Sequence, residues 1–384
     1  MNLLVPCAAG VEASVKRQLK RLGYGDCPAN SGRVSLEGDW HDIARLNVFL
    51  RSGERVLLVI GTFEAHNFDE LYDGVFALPW EEYLSPHSRI LMDGKCVRST
   101  IMAVKAAGGV AKKAIVGRLK EKLHLRTLDE TGERTVVGIS VTENRVTVTL
   151  DTSGDGLHKR GYRTLAYDAP LKETTAAAMI ESSYFRSGKP FADLFCGSGT
   201  LPIEAAMYAL HLAPGVNRDF DFTKWKCAPQ VLKIAREEAQ DVAVRNEKLH
   251  LIGADISERA ISIARYHAAR AGVAEHIEFR CGDMRHFASG EKFGILMSNP
   301  PYGERLGAND DLAALYRDFS KVFRRLPDWS CYLLTAYAGA EKQFGKPDKI
   351  RKLYNANLEC AFLSYFGKKP QDNGNEPMKK IHQV

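Results

Sequence analysis

Phe191-Ala-Asp193-Leu-Phe-Cys196-Gly197-Ser-Gly199-Thr200 decides the fold of the C-terminal half of this chain. A short apolar run ends on an aspartate, a Gly-x-Gly turn follows, and residues 201–212 resume with helical spacing. A buried strand therefore gives way to a helix through a turn open enough for a ligand to approach its backbone. Outward from this point the rhythm repeats. Strands are predicted at 191–195, 249–255, 276–280, 293–298 and 330–336, with helices at 201–212, 258–271 and 311–323. Such alternation predicts right-handed crossovers and a doubly wound parallel sheet, whose ligands sit at the carboxyl ends of the strands. The last apolar segments, 350–354 and 359–365, are expected to close the sheet as an antiparallel hairpin. Alone, Gly-x-Gly is also an ordinary strand-to-helix turn. Pro202 occupies the place of the third glycine in the dinucleotide fingerprint, which disfavours NAD.

Upstream, residues 1–155 read as α+β, with strands at 2–5, 55–61, 135–141 and 145–150 and helices at 11–22, 40–50 and 99–123. A hairpin is predicted through 142–144, and a domain boundary after the Gly-rich turn at 153–156. At 384 residues the chain is long enough for two or three domains, divided here as 1–42, 43–154 and 155–384. Hydrophobic residues at 45% and charged residues at 26% exclude wholesale disorder. No apolar run approaches the roughly 20 residues that span a bilayer, so no membrane helix is expected. The first ten residues lack a signal-peptide pattern, and eight cysteines without any Cys-x-x-Cys spacing argue against a zinc ribbon or disulfide framework. A cytoplasmic location is expected.

Charge is unevenly spread. Residues 95–126 hold nine basic side chains (Lys95, Arg98, Lys105, Lys112, Lys113, Arg118, Lys120, Lys122 and Arg126) against Glu121 alone, although the whole chain carries only +6. A field this local favours a nucleic-acid partner over a small acidic metabolite, the alternative being a solvated helix face.

Three further elements fall where the sheet places chemistry. Asp255, in Gly-Ala-Asp-Ile256, ends the second strand of the C-terminal half and offers acceptors to both hydroxyls of a ribose. Asp283, followed by Met284, ends the third and offers an acceptor to the exocyclic amine of adenine. Ser298-Asn299-Pro300-Pro301-Tyr302-Gly303 follows the fourth. Its prolines fix φ and remove donors, leaving a platform of acceptors. An amine on a purine or amide is a weak nucleophile because its lone pair is delocalised. Asn299 and the Pro300 carbonyl are placed to accept both its hydrogens, with Tyr302 stacked on the ring.

Taken together and in this order, these motifs resemble those of the S-adenosylmethionine-dependent amino methyltransferases. More narrowly, Leu157-His-Lys-Arg-Gly-Tyr-Arg163, Ala169-Pro-Leu-Lys-Glu173, Ala213-Pro-Gly215 and Asn217-Arg-Asp-Phe220 resemble the THUMP-containing guanine-N2 methyltransferases of 23S ribosomal RNA. The resemblance implies a Rossmann-like S-adenosylmethionine methyltransferase domain behind an α+β THUMP RNA-binding region with a ferredoxin-like start. It implies Asp193, Cys196, Gly197, Gly199, Thr200, Asp255, Ile256, Asp283, Met284 and Asn299 for the cofactor, and Asn299, Pro300 and Tyr302 for catalysis without a metal. For the RNA, 23S rRNA or a large-subunit precursor, the expected contacts are Lys95, Arg98, Lys112, Lys113, Lys159, Arg160, Arg163 and Arg305. Long family members carry a second methyltransferase domain that this chain lacks, so one modification is expected. Competing readings are a THUMP-type tRNA guanine methyltransferase, methylation of DNA adenine N6 or of a release-factor glutamine, and a non-catalytic RNA-binding factor with a methyltransferase-like lobe.

Overall fold

The computed structural model describes residues 1–369 apart from 31, 166–170, 226–229, 245, 303–308 and 356–357, and apart from the side chains of 230 and 309–311. Two seven-stranded sheets organise it. The first holds β1 (Asn2–Pro6), β2 (Ala29–Asn30), β3 (Arg33–Glu37), β4 (Leu57–Glu64), β5 (Arg89–Val97), β6 (Arg134–Thr142) and β7 (Arg145–Asp151) in the order β2-β3-β1-β4-β7-β6-β5. The ferredoxin-like start and the region after it thus share one continuous sheet, joined where β4 pairs with both β1 and β7. The predicted hairpin is present: β6 and β7 pair around Glu143 and Asn144, both with positive φ (51° and 63°), the geometry of a tight I′-type turn.

The second sheet holds β8 (Phe191–Asp193), β9 (Leu251–Asp255), β10 (Ile277–Cys281), β11 (Ile295–Ser298), β12 (Ser330–Thr335), β13 (Lys349–Asn355) and β14 (Leu358–Tyr365), ordered β10-β9-β8-β11-β12-β14-β13. The first five strands of that list are parallel, and every residue of β8, β11 and β12 is buried, as helices on both faces require. β13 and β14 form the expected closing antiparallel hairpin. Strand order reverses between β8 and β11, which opens a crevice at their carboxyl ends.

The lobes dock through specific contacts. Arg17 and Arg21 on helix Glu12–Arg21 pair with the buried Glu181, Arg45 pairs with Glu238 at 2.7 Å, and Arg51 donates to the Leu212 carbonyl at 2.9 Å. Gly215 is one of the tightest points. Its N–H donates to Val48 O (2.9 Å), and a Cβ there would stand 2.4 Å from Asn47 O and 2.8 Å from Val48 Cα. Backbone cannot retreat as a side chain can, so Gly215→Ala is expected to destabilise the protein by about 1–3 kcal/mol. A urea-unfolding midpoint unchanged from the parent protein would refute this.

Candidate active site

The crevice is built from the glycine turn outward. Gly197 and Gly199 hold positive φ (51° and 86°), and Gly199 caps helix Thr200–Ala209, where a Cβ would crowd Ala264 Cβ at 3.0 Å. Asp255 ties this turn to the end of β9: its Oδ2 accepts from Gly197 N–H and its Oδ1 from Ser257 N–H, both at 2.9 Å. Asp193 ends β8 almost wholly buried and accepts from Phe195 N–H at 3.1 Å and from the Ser298 hydroxyl. Burial pushes its carboxyl up to about 7. Burial likewise holds the Cys196 thiol protonated, well above its ordinary range. Thr200 is buried at the first helical position, Met284 is buried, and Ile256 beside Asp255 presents an apolar side chain at 75% exposure.

Asp283 is less free than its sequence suggests. It caps the short 3-10 turn Met284–His286, and its carboxylate is gripped by Arg285 Nε at 3.0 and 2.9 Å. That pairing, with the Arg285 amide, holds it at about 2. An adenine amine would share this carboxylate with Arg285.

Across the switch point, Ser298 Oγ accepts from Leu194 N–H at 3.1 Å and so stitches the ends of β8 and β11 together. Asn299 follows immediately. Among the described residues its buried Oδ1 has no hydrogen-bond partner, and the buried Ser198 Oγ in the glycine turn also lacks one. Leaving a buried amide oxygen unpaired is costly unless a ligand supplies the donor. Pro300 is buried and Tyr302 half-buried, the Tyr302 hydroxyl accepting from Asn355 Nδ2 at 2.5 Å. The proline loop therefore reaches over the sheet toward the β13–β14 hairpin. The acids Asp255 and Asp283 lie on one side of Asn299, on β9 and beyond β10, and the Tyr302 hydroxyl is anchored on the other. Ser198, Ser298 and Asn355 carry no sequence signal of their own beyond their place at strand ends and turns.

The basic residues sort unequally. Arg160, expected to guide RNA, is corrected to interior scaffold, and Arg163, expected to do the same, is half-buried and held by partners within the protein. Arg160 is 6% exposed, pairs with Glu204 at 3.3 Å, and donates to the carbonyls of Leu157 (2.7 Å) and Arg51. Arg163 pairs with the buried Glu173 and donates to Leu171 O, both at 3.0 Å. Lys112 is half-buried against Glu130 at 2.8 Å, so it too is drawn away from a ligand. Lys95 and Lys113 are exposed, Arg98 is exposed with Glu143 at 3.6 Å, and Lys159 is exposed beside Asp155 at 3.0 Å. Arg305 lies outside the described residues.

Residues 160–363 match the family of RMKL-like methyltransferase domains. The chain belongs to this family. Ahead of that domain, residues 2–57 match the RlmL ferredoxin-like domain and residues 65–151 the THUMP domain. Among relatives of the family, "Putative RNA methyltransferase YpsC" of Bacillus subtilis is 36% identical over 96% of this chain and 97% of its own. "Ribosomal RNA large subunit methyltransferase K/L" of Syntrophotalea carbinolica is 33% identical over 93% of this chain, which spans only 52% of that longer protein. Among solved structures, a "predicted N6-adenine-specific DNA methylase" from Listeria monocytogenes is 42% identical and superposes over 96% of both chains with a TM-score of 0.90. SMU.472, "a putative methyltransferase complexed with SAH", is 38% identical over 96% of this chain and 99% of its own, also with a TM-score of 0.90. Among the described residues no helix is long and apolar enough to cross a membrane.

Proposed function

We propose that this protein methylates the exocyclic N2 of a guanine in 23S ribosomal RNA, with S-adenosylmethionine as donor. The observation that carries this reading is the buried, unpartnered Asn299 Oδ1 at the carboxyl end of β11. It is an acceptor waiting for a donor, set between a glycine turn of nucleotide-binding type and an aromatic loop. The Ser198 hydroxyl, unpaired among the described residues, the left-handed glycine turn at Gly197 and Gly199 and the exposed Ile256 side chain fit an adenosyl ligand on the near side. A structural relative holding SAH and the THUMP region support cofactor and RNA respectively.

When bound, S-adenosylmethionine supplies a methyl group on an electrophilic sulfonium. The chain's own work is alignment. Asp193 and the 197–199 backbone hold the methionine end, Asp255 the ribose, and Asp283 with Met284 the adenine. Asn299 Oδ1 and the Pro300 carbonyl accept the two amine hydrogens and turn the nitrogen lone pair toward the methyl group. Tyr302, fixed at its hydroxyl by Asn355, backs the ring. Guanine N2 lies in the minor groove of paired RNA, so the base must leave its helix to arrive here. The proton departs to solvent after transfer, and no strong base is required. Incubating the protein with labelled S-adenosylmethionine and separate pools of unmodified rRNA, tRNA and DNA tests the reading. Label confined to rRNA is expected; label only in tRNA or DNA would overturn it.

Two measurements arise from the charges of the site. With Asp193 at about 7, its carboxylate is available to a ligand ammonium only above that pH, so affinity for S-adenosylhomocysteine is expected to rise about tenfold between about pH 6 and 8. The unliganded fold moves oppositely. Its Asp193 keeps a proton that the unfolded chain has released, so this group lowers stability as pH climbs from 3.8 to about 7. A pH-independent calorimetric affinity would contradict the ammonium assignment. For RNA, the exposed Lys95, Arg98, Lys105, Lys113, Lys122 and Arg126 predict that raising salt from about 50 to 200 mM weakens binding roughly 100-fold. A salt-insensitive affinity would remove the THUMP surface as the anchor.

A further inference from the structure

A groove of about 270 Å3 opens beside the proposed base pocket, where β12 ends and the β13–β14 hairpin begins. The register fixes its walls. Thr335, Ala361 and Lys352 lie in one row across β12, β14 and β13, with Leu363 opposite Ile350 two residues away. Ile350 stands 53% exposed on the outer wall. Tyr337, two residues past β12, forms the facing wall. Its ring is braced by Tyr316 (4.8 Å between centroids) and by Gly339, where a Cβ would come within 2.4 Å of it. Its hydroxyl makes no hydrogen bond among the described residues, whereas the Tyr316 hydroxyl is taken by Thr335. The groove is continuous with the pocket, since Cys360 lines it and also meets the Tyr302 hydroxyl.

We infer that this groove is a subsite for the nucleobase next to the target guanine, held between Tyr337 and Ile350. The inference rests on the proposed RNA methylation and adds a residue that sets sequence context. Charge decides the ligand class. Among the described residues the cations lining the groove, Arg351 and Lys352, are engaged by Ser182 (3.1 Å) and Glu359 (2.5 Å), and Glu341 and Glu359 bring two carboxylates to it. With two carboxylates against two cations the groove has no net charge to attract a phosphate, whereas a flat neutral heterocycle would bury apolar surface on both sides. The sugar-phosphate chain then passes outside, and the neighbouring base enters as the target leaves its stack.

The test uses the full chain, saturated with S-adenosylhomocysteine, and single-stranded RNA oligonucleotides containing one guanine. In one set the base on its 5′ side is replaced by an abasic residue, in another the base on its 3′ side. Fluorescence anisotropy is expected to show about tenfold weaker binding for one of the two abasic oligonucleotides with the parent protein. With Tyr337→Ala the intact oligonucleotide should bind about tenfold more weakly and the abasic one no worse still, the non-additivity expected of groups in contact. Tyr337→Phe should retain most of the affinity. Unchanged S-adenosylhomocysteine binding by Tyr337→Ala establishes that the variant is folded. Equal losses on abasic substitution in parent and variant, parental affinity in Tyr337→Ala, or no oligonucleotide binding by the parent protein would each overturn the subsite. Failure of the methylation reading shows elsewhere, as absence of label in guanine, because this experiment reads binding alone.

Discussion

Alanine at position 299 is expected to slow methyl transfer by about 10³-fold, or ~4 kcal/mol of transition-state stabilisation, and to change S-adenosylhomocysteine affinity by less than about threefold. The side-chain oxygen of Asn299 is buried and has no hydrogen-bond partner among the described residues, so its removal breaks no internal hydrogen bond among them. What disappears is one of two acceptors that orient a delocalised amine, and the remaining Pro300 carbonyl cannot set the nitrogen's direction alone. Asn299→Asp keeps an acceptor oxygen at the same place and is expected to retain part of the activity. Single-turnover rates on the unmodified RNA pool that accepts label from the parent protein separate these outcomes. Parental rates in Asn299→Ala would mean that the proline loop is a structural turn.

Arg160→Met should have the largest effect on stability, a loss of about 3–5 kcal/mol. The change leaves Glu204 on the helix that begins at the glycine turn, with a side chain 0% exposed and its salt-bridge partner removed. Tyr162 donates to the same oxygen at 3.2 Å, while Glu204 Oε2 already has no partner. The carbonyls of Leu157 and Arg51 would also lose their donor. Equilibrium unfolding in urea checks this, with an expected shift of the midpoint to lower denaturant. RNA affinity of the folded variant at fixed salt should be close to parental, because Arg160 is interior. A variant of parental stability with weakened RNA binding would restore the residue to the RNA surface.

The C-terminal sheet was legible because its strands are buried on both faces and announce themselves as apolar runs between amphipathic helices. Other elements were hidden for definite reasons. β5 carries Asp93-Gly94, which reads as a turn, yet Gly94 is there because a Cβ would come 2.9 Å from Ile139 O on the adjacent strand. Helix Glu173–Glu181 has all nine residues buried, so no polar stripe marks it. The basic run at 95–126 loses part of its field to acids distant in sequence: Glu81 on Arg118, Glu130 on Lys112 and Glu143 near Arg98. Local counting cannot see such partners.

The motifs that carried the narrow resemblance have a physical common denominator. Leu157 donates its amide to Glu54 O, Arg160 and Tyr162 meet Glu204, Arg163 meets Glu173, Gly215 touches Val48, and Arg218 donates to Asp155 O. Leu157 with Glu54 and Gly215 with Val48 join the N-terminal lobe to the methyltransferase lobe, and the other pairs brace the interior of the methyltransferase lobe beside that junction. Basic side chains in them read as nucleic-acid contacts by residue type alone. Only burial distinguishes the two roles. The candidate site was different: its residues end successive strands, so topology alone brought Asp193, Asp255 and Asn299 to one crevice.

The most direct test is the chemical identity of the methylated product. Large-subunit RNA from cells lacking this protein, incubated with the protein and labelled S-adenosylmethionine, would be digested to nucleosides and resolved by mass spectrometry. The label should appear in N2-methylguanosine and vanish with Asn299→Ala. Label in N6-methyladenosine, in a ribose methyl or in a carbon-methylated base would contradict it.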